Sequence, residues 1–98
     1  MDGFSRTLWW LFGSSVGAPT RARILASIRE EPKNAQQLAN ELRLDYQTIR
    51  HHLRVLSENR LVESTGEHYG TVYSVAPSVE ARWGELESIV QRHRKSRE

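Results

Sequence analysis

Leu44-Asp45-Tyr46-Gln47-Thr48-Ile49-Arg50-His51-His52-Leu53-Arg54-Val55-Leu56 is the stretch on which the reading of this chain turns. At 3.6 residues per turn, Ile49, Leu53 and Leu56 share one face, with His52 at its edge. Tyr46, Gln47, Arg50, His51 and Arg54 share the other. That outer face holds cations, an amide and an aromatic ring, with no carboxylate beyond Asp45 at its start. It is the residue set of a helix that lies in a nucleic-acid groove.

Working outward, Asp45 is placed to cap this helix by accepting hydrogen bonds from first-turn amides. The periodicity predicts a helix from Tyr46 to about Glu58, with Asn59 as the left-handed residue that ends it. Before it, Arg43-Leu44-Asp45 is a tight connection from a short helix with Leu38, Ala39 and Leu42 inward. Asn34 and Gln37 have capping-box spacing at the start of that short helix. After it come two β-prone runs, Leu61–Ser64 and Thr71–Val75, joined by a polar, glycine-bearing loop over 65–70 that suits a hairpin.

Upstream, Phe4, Leu8, Leu11 and Phe12 recur at helical spacing, with Trp9 and Trp10 widening the apolar face. Gly13-Ser14-Ser15-Val16-Gly17 interrupts that pattern. Pro19 suits the first turn of a following helix. Ile24, Leu25 and Ile28 are its buried stripe; Arg21, Arg23 and Arg29 are expected outward, and Pro32 ends it near Glu31. Downstream, Pro77 closes the hairpin, Ser78 is the expected cap of one last helix, and Trp83, Leu86, Ile89 and Val90 form its apolar stripe.

The chain has 98 residues, 38% hydrophobic and 27% charged, which fits one globular domain with a modest core. It contains no cysteine, so disulfides and thiolate metal sites are excluded. Leu8–Phe12 is far short of the roughly 18 apolar residues a membrane span requires. With a reducing interior this leads to an expected cytoplasmic location. The net charge is only +2, but its distribution is uneven. Arg43, Arg50, Arg54 and Arg60 face only Asp45 and Glu58 within residues 43–60. A second cluster, Arg92-His93-Arg94-Lys95 with Arg97, reads most simply as a solvated helix end.

Four helices, a hairpin and a final helix make a mainly α chain with a small β-hairpin: a winged helix-turn-helix with extra N- and C-terminal helices. The expected organisation is a single domain over 1–98. It comprises an apolar helix in 1–17, the winged-helix core over 18–76, and the last helix in 77–98. The residues Asn34–Ala39, Leu44–Leu56 and Leu61-Val62 resemble the ArsR-type winged-helix transcription regulators, especially small archaeal members. The Thr48-to-Leu56 pattern of Thr, hydrophobic, His-Leu and Leu is the more specific part, and the likeness covers roughly 18–76. It implies DNA binding and pairing of two subunits through the terminal helices. Arg60 stands where that family often has glycine. The family's metal-sensing cysteines are missing, and so is its His/Asp cluster on the last helix.

The expected DNA-binding set is Asp45, Tyr46, Gln47, Thr48, Arg50, His51, Arg54, His68 and Tyr69. Gln bonds bidentately to adenine and Arg to guanine in the major groove, which suits Gln47 and Arg50. Arg54, further from the helix N-terminus, suits a phosphate. Tyr46 either reaches DNA or packs over the first turn, and Thr48 either meets phosphate or bonds locally. His68 and Tyr69 are either flanking-DNA contacts or a plain turn. His51 and His52 point about 100° apart and do not suit one metal ion; His52 belongs at the core edge. No catalytic residues, metal site or cofactor are expected, because no phosphate-cradling loop, nucleophile elbow or ligand cluster is present. A C2 homodimer through Phe4, Leu8, Trp9, Leu11, Phe12, Trp83, Leu86, Ile89 and Val90 would set two recognition helices about 34 Å apart. The expected function is a sequence-specific double-stranded DNA-binding transcription regulator. The alternative is a winged-helix protein-interaction module without DNA.

Overall fold

A computed structural model describes residues 1–96; the side chains of Tyr69 and Ser96 lie outside the described structure, as does Arg97 of the basic cluster. In chain order the elements are α1 (Gly3–Trp9), a π-helical turn (Trp10–Ser14), α2 (Ala18–Glu30), β1 (Lys33–Asn34), α3 (Ala35–Leu42) and α4 (Tyr46–Glu58). Then follow β2 (Val62–Thr65), a 3-10 turn (His68–Gly70), β3 (Val72–Val75), α5 (Pro77–Ala81) and α6 (Trp83–Ser96). The order is that of a winged helix-turn-helix.

Caps fix the central helix pair. Asn34 accepts from the Gln37 amide and Gln37 accepts from the Asn34 amide, both at 2.8 Å, closing the capping box of α3. Arg43 adopts φ 56°, ψ 47°, and the chain turns there into α4. One Asp45 carboxylate oxygen accepts from the amides of Gln47 and Thr48 at 2.9 and 3.2 Å. The other end of α4 corrects an expectation. Asn59 stays near φ −95°, and Arg60 takes the left-handed conformation at φ 61°. With Arg60 turned, the Leu61 amide reaches the Leu56 carbonyl at 2.9 Å, and both leucines are fully buried. A left-handed Asn59 would put that turn one residue early and misplace Leu61.

Ile24, Leu25, Ile28, Leu38, Ile49, Leu53 and Leu56, all at most 1% exposed, form the core between α2, α3 and α4. Burying each such side chain contributes about 1.5–3 kcal/mol. The sheet is antiparallel in the order β1-β3-β2, with Ser64 opposite Tyr73 and Lys33 also opposite Tyr73. β1 is an addition to the expected hairpin. Two residues after a proline carry no periodicity, so only their pairing with β3 makes them a strand.

Both ends of the chain depart from expectation. The apolar pattern does not break at Gly13, because the helix continues to Ser14 as a π-helical turn. The expected single last helix is two, since Arg82 leaves helical geometry at φ −121°, ψ 28°. There its guanidinium pairs with Asp2 at 3.1 Å and Glu85 at 2.7 Å and lies 4.7 Å from the Phe4 ring centre. Ala76, not Ser78, occupies the cap position, with Pro77 beginning α5. Leu8, Leu11, Phe12, Leu86 and Ile89 are at most 2% exposed within one copy. The terminal helices therefore cover each other, and these five residues are not available to pair two subunits. His93 is not part of a solvated tail either: its Nδ1 donates to the Gly13 carbonyl at 3.0 Å.

The largest correction concerns Arg21, expected outward and found 5% exposed. Its Nε donates to the Leu11 carbonyl at 3.0 Å, and its other nitrogens meet Ser15 Oγ and, at 3.4 Å, His52 Nδ1. Arg21 of α2 and His52 of α4 meet beside Gly17, whose lack of a side chain leaves them room. Burial holds His52 below its usual pKa, helped by the charges of Arg21 and His51. Two outcomes follow. A Cβ at Gly17 would lie 2.7 Å from His52 Cε1 and overlap the Arg21 guanidinium, so Gly17→Ala should cost about 1–3 kcal/mol in urea denaturation. His52 binds protons more readily unfolded than folded, so its contribution is present above about pH 6.5 and is lost as pH falls below it. The melting temperature should drop from pH 7.5 to 5.5, and His52→Gln should flatten that drop. The lowered carboxylates Glu41, Glu80 and Glu85 respond only at more acid pH. An equal slope in the variant would exclude His52 as the cause.

Candidate nucleic-acid interface

The outer face of α4 is built by the caps and core just described. Ile49, His52, Leu53 and Leu56 lock one side inward, and Gln47, Thr48, His51 and Arg54 are left exposed on the other. Asp45 is exposed as well, but its carboxylate is committed to the helix's first-turn amides. With that acid engaged, the first three turns present cations, amides and hydroxyls together.

Tyr46 and Arg50 behave as a unit. Both are half-buried, Arg50 donates to the Tyr46 hydroxyl at 3.2 Å, and its guanidinium lies 5.9 Å from the ring centre. Tyr46 also packs against the core, so the packing role weighed for it is present. A phenol held from below restricts the rotamers of the arginine that bonds it. Arg50 is thereby held along the helix surface, in the cleft that His68 also lines.

Between α3, α4 and the wing lies a cleft of about 330 Å³, lined by Gln36, Tyr46, Arg50, His68 and Tyr73, with Ala35 and Thr71 at its floor and edge. His68 sits at φ 53°, a left-handed conformation uncommon outside glycine. Its carbonyl accepts from Thr71 Oγ1 at 2.9 Å, which ties down the turn. Gly66 at φ 90° makes the turn possible, since a Cβ there would lie 2.6 Å from the Gly70 carbonyl oxygen. Of the nine residues expected on DNA, the cleft gathers Tyr46, Arg50 and His68. Gln47, Thr48, His51 and Arg54 lie on the open face of α4, and the Tyr69 side chain is outside the described structure.

Gln36 and Tyr73 belong to the cleft and were not anticipated. Gln36 is exposed in the first turn of α3 and bonds Asn40 at 3.0 Å. Its position at the start of the helix before the turn was the available signal. Tyr73 gave none, because its facing depends on the register of β3 between two strands. His51 and His52 meet edge-on with ring centres 5.2 Å apart, and His52 turns inward to Arg21.

Residues 16–65, half of the chain, match the family described as helix-turn-helix domain. An uncharacterised HTH-type transcriptional regulator of Methanocaldococcus jannaschii is 40% identical over 52 residues, covering 53% of this chain. The chain spans only about half of that relative, 55% of its length. AbfR of Staphylococcus epidermidis superposes with a TM-score of 0.66 over 90% of this chain and 60% of its own, at 15% identity, a likeness of fold alone. With the capped α3–turn–α4 unit lying inside the matched residues, the chain belongs to the helix-turn-helix domain family.

Proposed function

We propose that this protein is a sequence-specific, double-stranded DNA-binding transcription regulator of the ArsR type, acting in the cytoplasm as a dimer. The observation that carries the reading is the exposed face of α4. Gln47, Thr48, His51 and Arg54 stand out from a helix whose other side is locked into the core. In this reading α4 enters the major groove, Gln47 and Arg50 contact base edges, and Arg54 contacts phosphate. The wing residues His68 and Tyr69 lie on flanking DNA, and Tyr46 holds Arg50 in place. The name of the Methanocaldococcus jannaschii relative supports the regulatory role.

The dimer needs a surface other than the five buried residues of the terminal helices. Trp10 is 64% exposed and Val16 98% exposed, and Trp9 beside them is half-buried. Trp9 at the end of α1, Trp10 on the π-helical turn and Val16 in the loop before α2 supply exposed apolar surface for a two-fold contact. A protomer measuring 36 × 27 × 21 Å matches the scale of the roughly 34 Å repeat between successive major-groove sites.

The test selects duplexes from a random pool and measures their affinities across salt. Affinity for the selected duplex should fall steeply with salt, because phosphate contacts release counterions. Arg50→Ala should cost about 1–3 kcal/mol and relax the preference at one position, whereas Arg54→Ala should lower the salt slope by about one at every sequence. Failure of the protein to shift any duplex at about 50 mM salt would overturn DNA binding and favour a protein-interaction role. A monomer mass in solution would remove the dimer.

A further inference from the structure

A second cavity shares no lining residue with the cleft beside α4. It is a groove of about 670 Å³ between α2 and α6. Ala22 lines the α2 wall, with Ala18 and Ala26 one turn to either side; Trp83, Leu86 and Val90 form the α6 wall. Alanine on one wall and bulky side chains on the other hold the helices apart at this level, while Ile24, Leu25 and Ile28 pack on the core side. The space is of the size that encloses a small organic molecule.

Charge along the groove is uneven. Arg23 from α2 and Arg94 from α6 line it, beside His93. Arg23 gives one N–H to the Leu42 carbonyl at 3.0 Å, and a guanidinium has five donors. Among the described residues the only carboxylate lining it is Glu87, which lies within electrostatic reach of Arg29, and Arg29 itself stacks 4.4 Å over Trp83. Arg29 is itself paired with Glu80 at 2.9 Å, so Glu87 stands as the one lining acid against Arg23 and Arg94. The sequence has no Asp or Glu in residues 3–29 or 88–97. An apolar trough lined by two arginines and one acid complements an amphipathic monoanion.

We propose that the α2–α6 groove binds a small organic carboxylate, its apolar body between Ala22 and Trp83 and its carboxylate at Arg94 and Arg23. The size of the groove, its apolar walls and its two lining arginines carry the assignment, which is independent of DNA binding. A hydrocarbon body gains by leaving water, and the carboxylate gains charge-assisted hydrogen bonds from two guanidinium groups.

The probe is decanoate, below its micelle concentration, titrated into the intact chain and followed by amide and indole N–H shifts in heteronuclear NMR. Saturable one-to-one binding is expected, with shifts centred on Ala22, Ala26, the Trp83 indole and Val90. Arg94→Glu should weaken binding by roughly tenfold or more, Arg94→Lys should keep it within about threefold, and 1-decanol should bind roughly tenfold more weakly than decanoate. Ala22→Phe fills the trough at a partly exposed position, and it should abolish binding with an unchanged far-ultraviolet spectrum. Equal affinity for decanol, retained binding in Ala22→Phe, or shifts centred elsewhere would overturn the proposal. So would a groove filled by a second copy, seen as a dimer that Ala22→Phe dissociates and that takes up no decanoate.

Discussion

The Arg21 guanidinium is the contact on which the arrangement of this protein depends. It is buried, and among the described residues its partners are neutral: the Leu11 carbonyl, Ser15 Oγ and His52 Nδ1. Taking a cation out of water costs several kcal/mol unless its donors are met, so these hydrogen bonds offset a real penalty. What the penalty sustains is a three-way tie. Leu11 belongs to the π-helical turn and Ser15 caps its end, Arg21 belongs to α2, and His52 to the inner face of α4. The N-terminal segment is thereby bolted to the helix that carries the candidate interface.

Around that tie, α4 is held at both ends by means that do not use its outer side chains. Asp45 closes the N-terminus, and the turned Arg60 with buried Leu61 closes the C-terminus. Local hydrogen bonding and core packing take up the inward residues and the ends. Gln47, His51 and Arg54 are left to solvent. Tyr46 and Arg50 are the exception, since part of their interaction is spent on each other.

How much of this could be read in the residues follows from which forces are local. The capping box at Asn34 and Gln37, the Asp45 cap and the span Tyr46–Glu58 depend on neighbours in sequence, and the structure has them as expected. Arg21 did not show itself, because a lone arginine in a helix pattern looks like a solvated one. Only the acceptor cluster from residues 11, 15 and 52 makes burial tolerable. Arg60 was passed over for Asn59 because Asn is the commoner left-handed residue. The choice is made instead by where Leu61 must enter the core. The bend at Arg82 and the pairing of β1 with β3 depend on partners far along the chain, Asp2 in one case and Tyr73 in the other. The candidate site was legible on α4, whose pattern is helical, and illegible on the wing, where Tyr73 faces the cleft through sheet register.

Asn34 has two duties: it caps α3, and it pairs with Val72 of β3. One residue thus belongs both to the helix-turn-helix and to the sheet that carries the wing. The wing is thereby tied to α3 as well as to its own hairpin, and this second tie restrains the gap between its tip and the tip of α4. Under the proposed DNA-binding role, a duplex that meets both at once has to supply the groove width and curvature that this gap demands. The energy of bending or narrowing DNA depends on its base steps, so in the proposed role this gap would discriminate among sequences at positions no side chain touches.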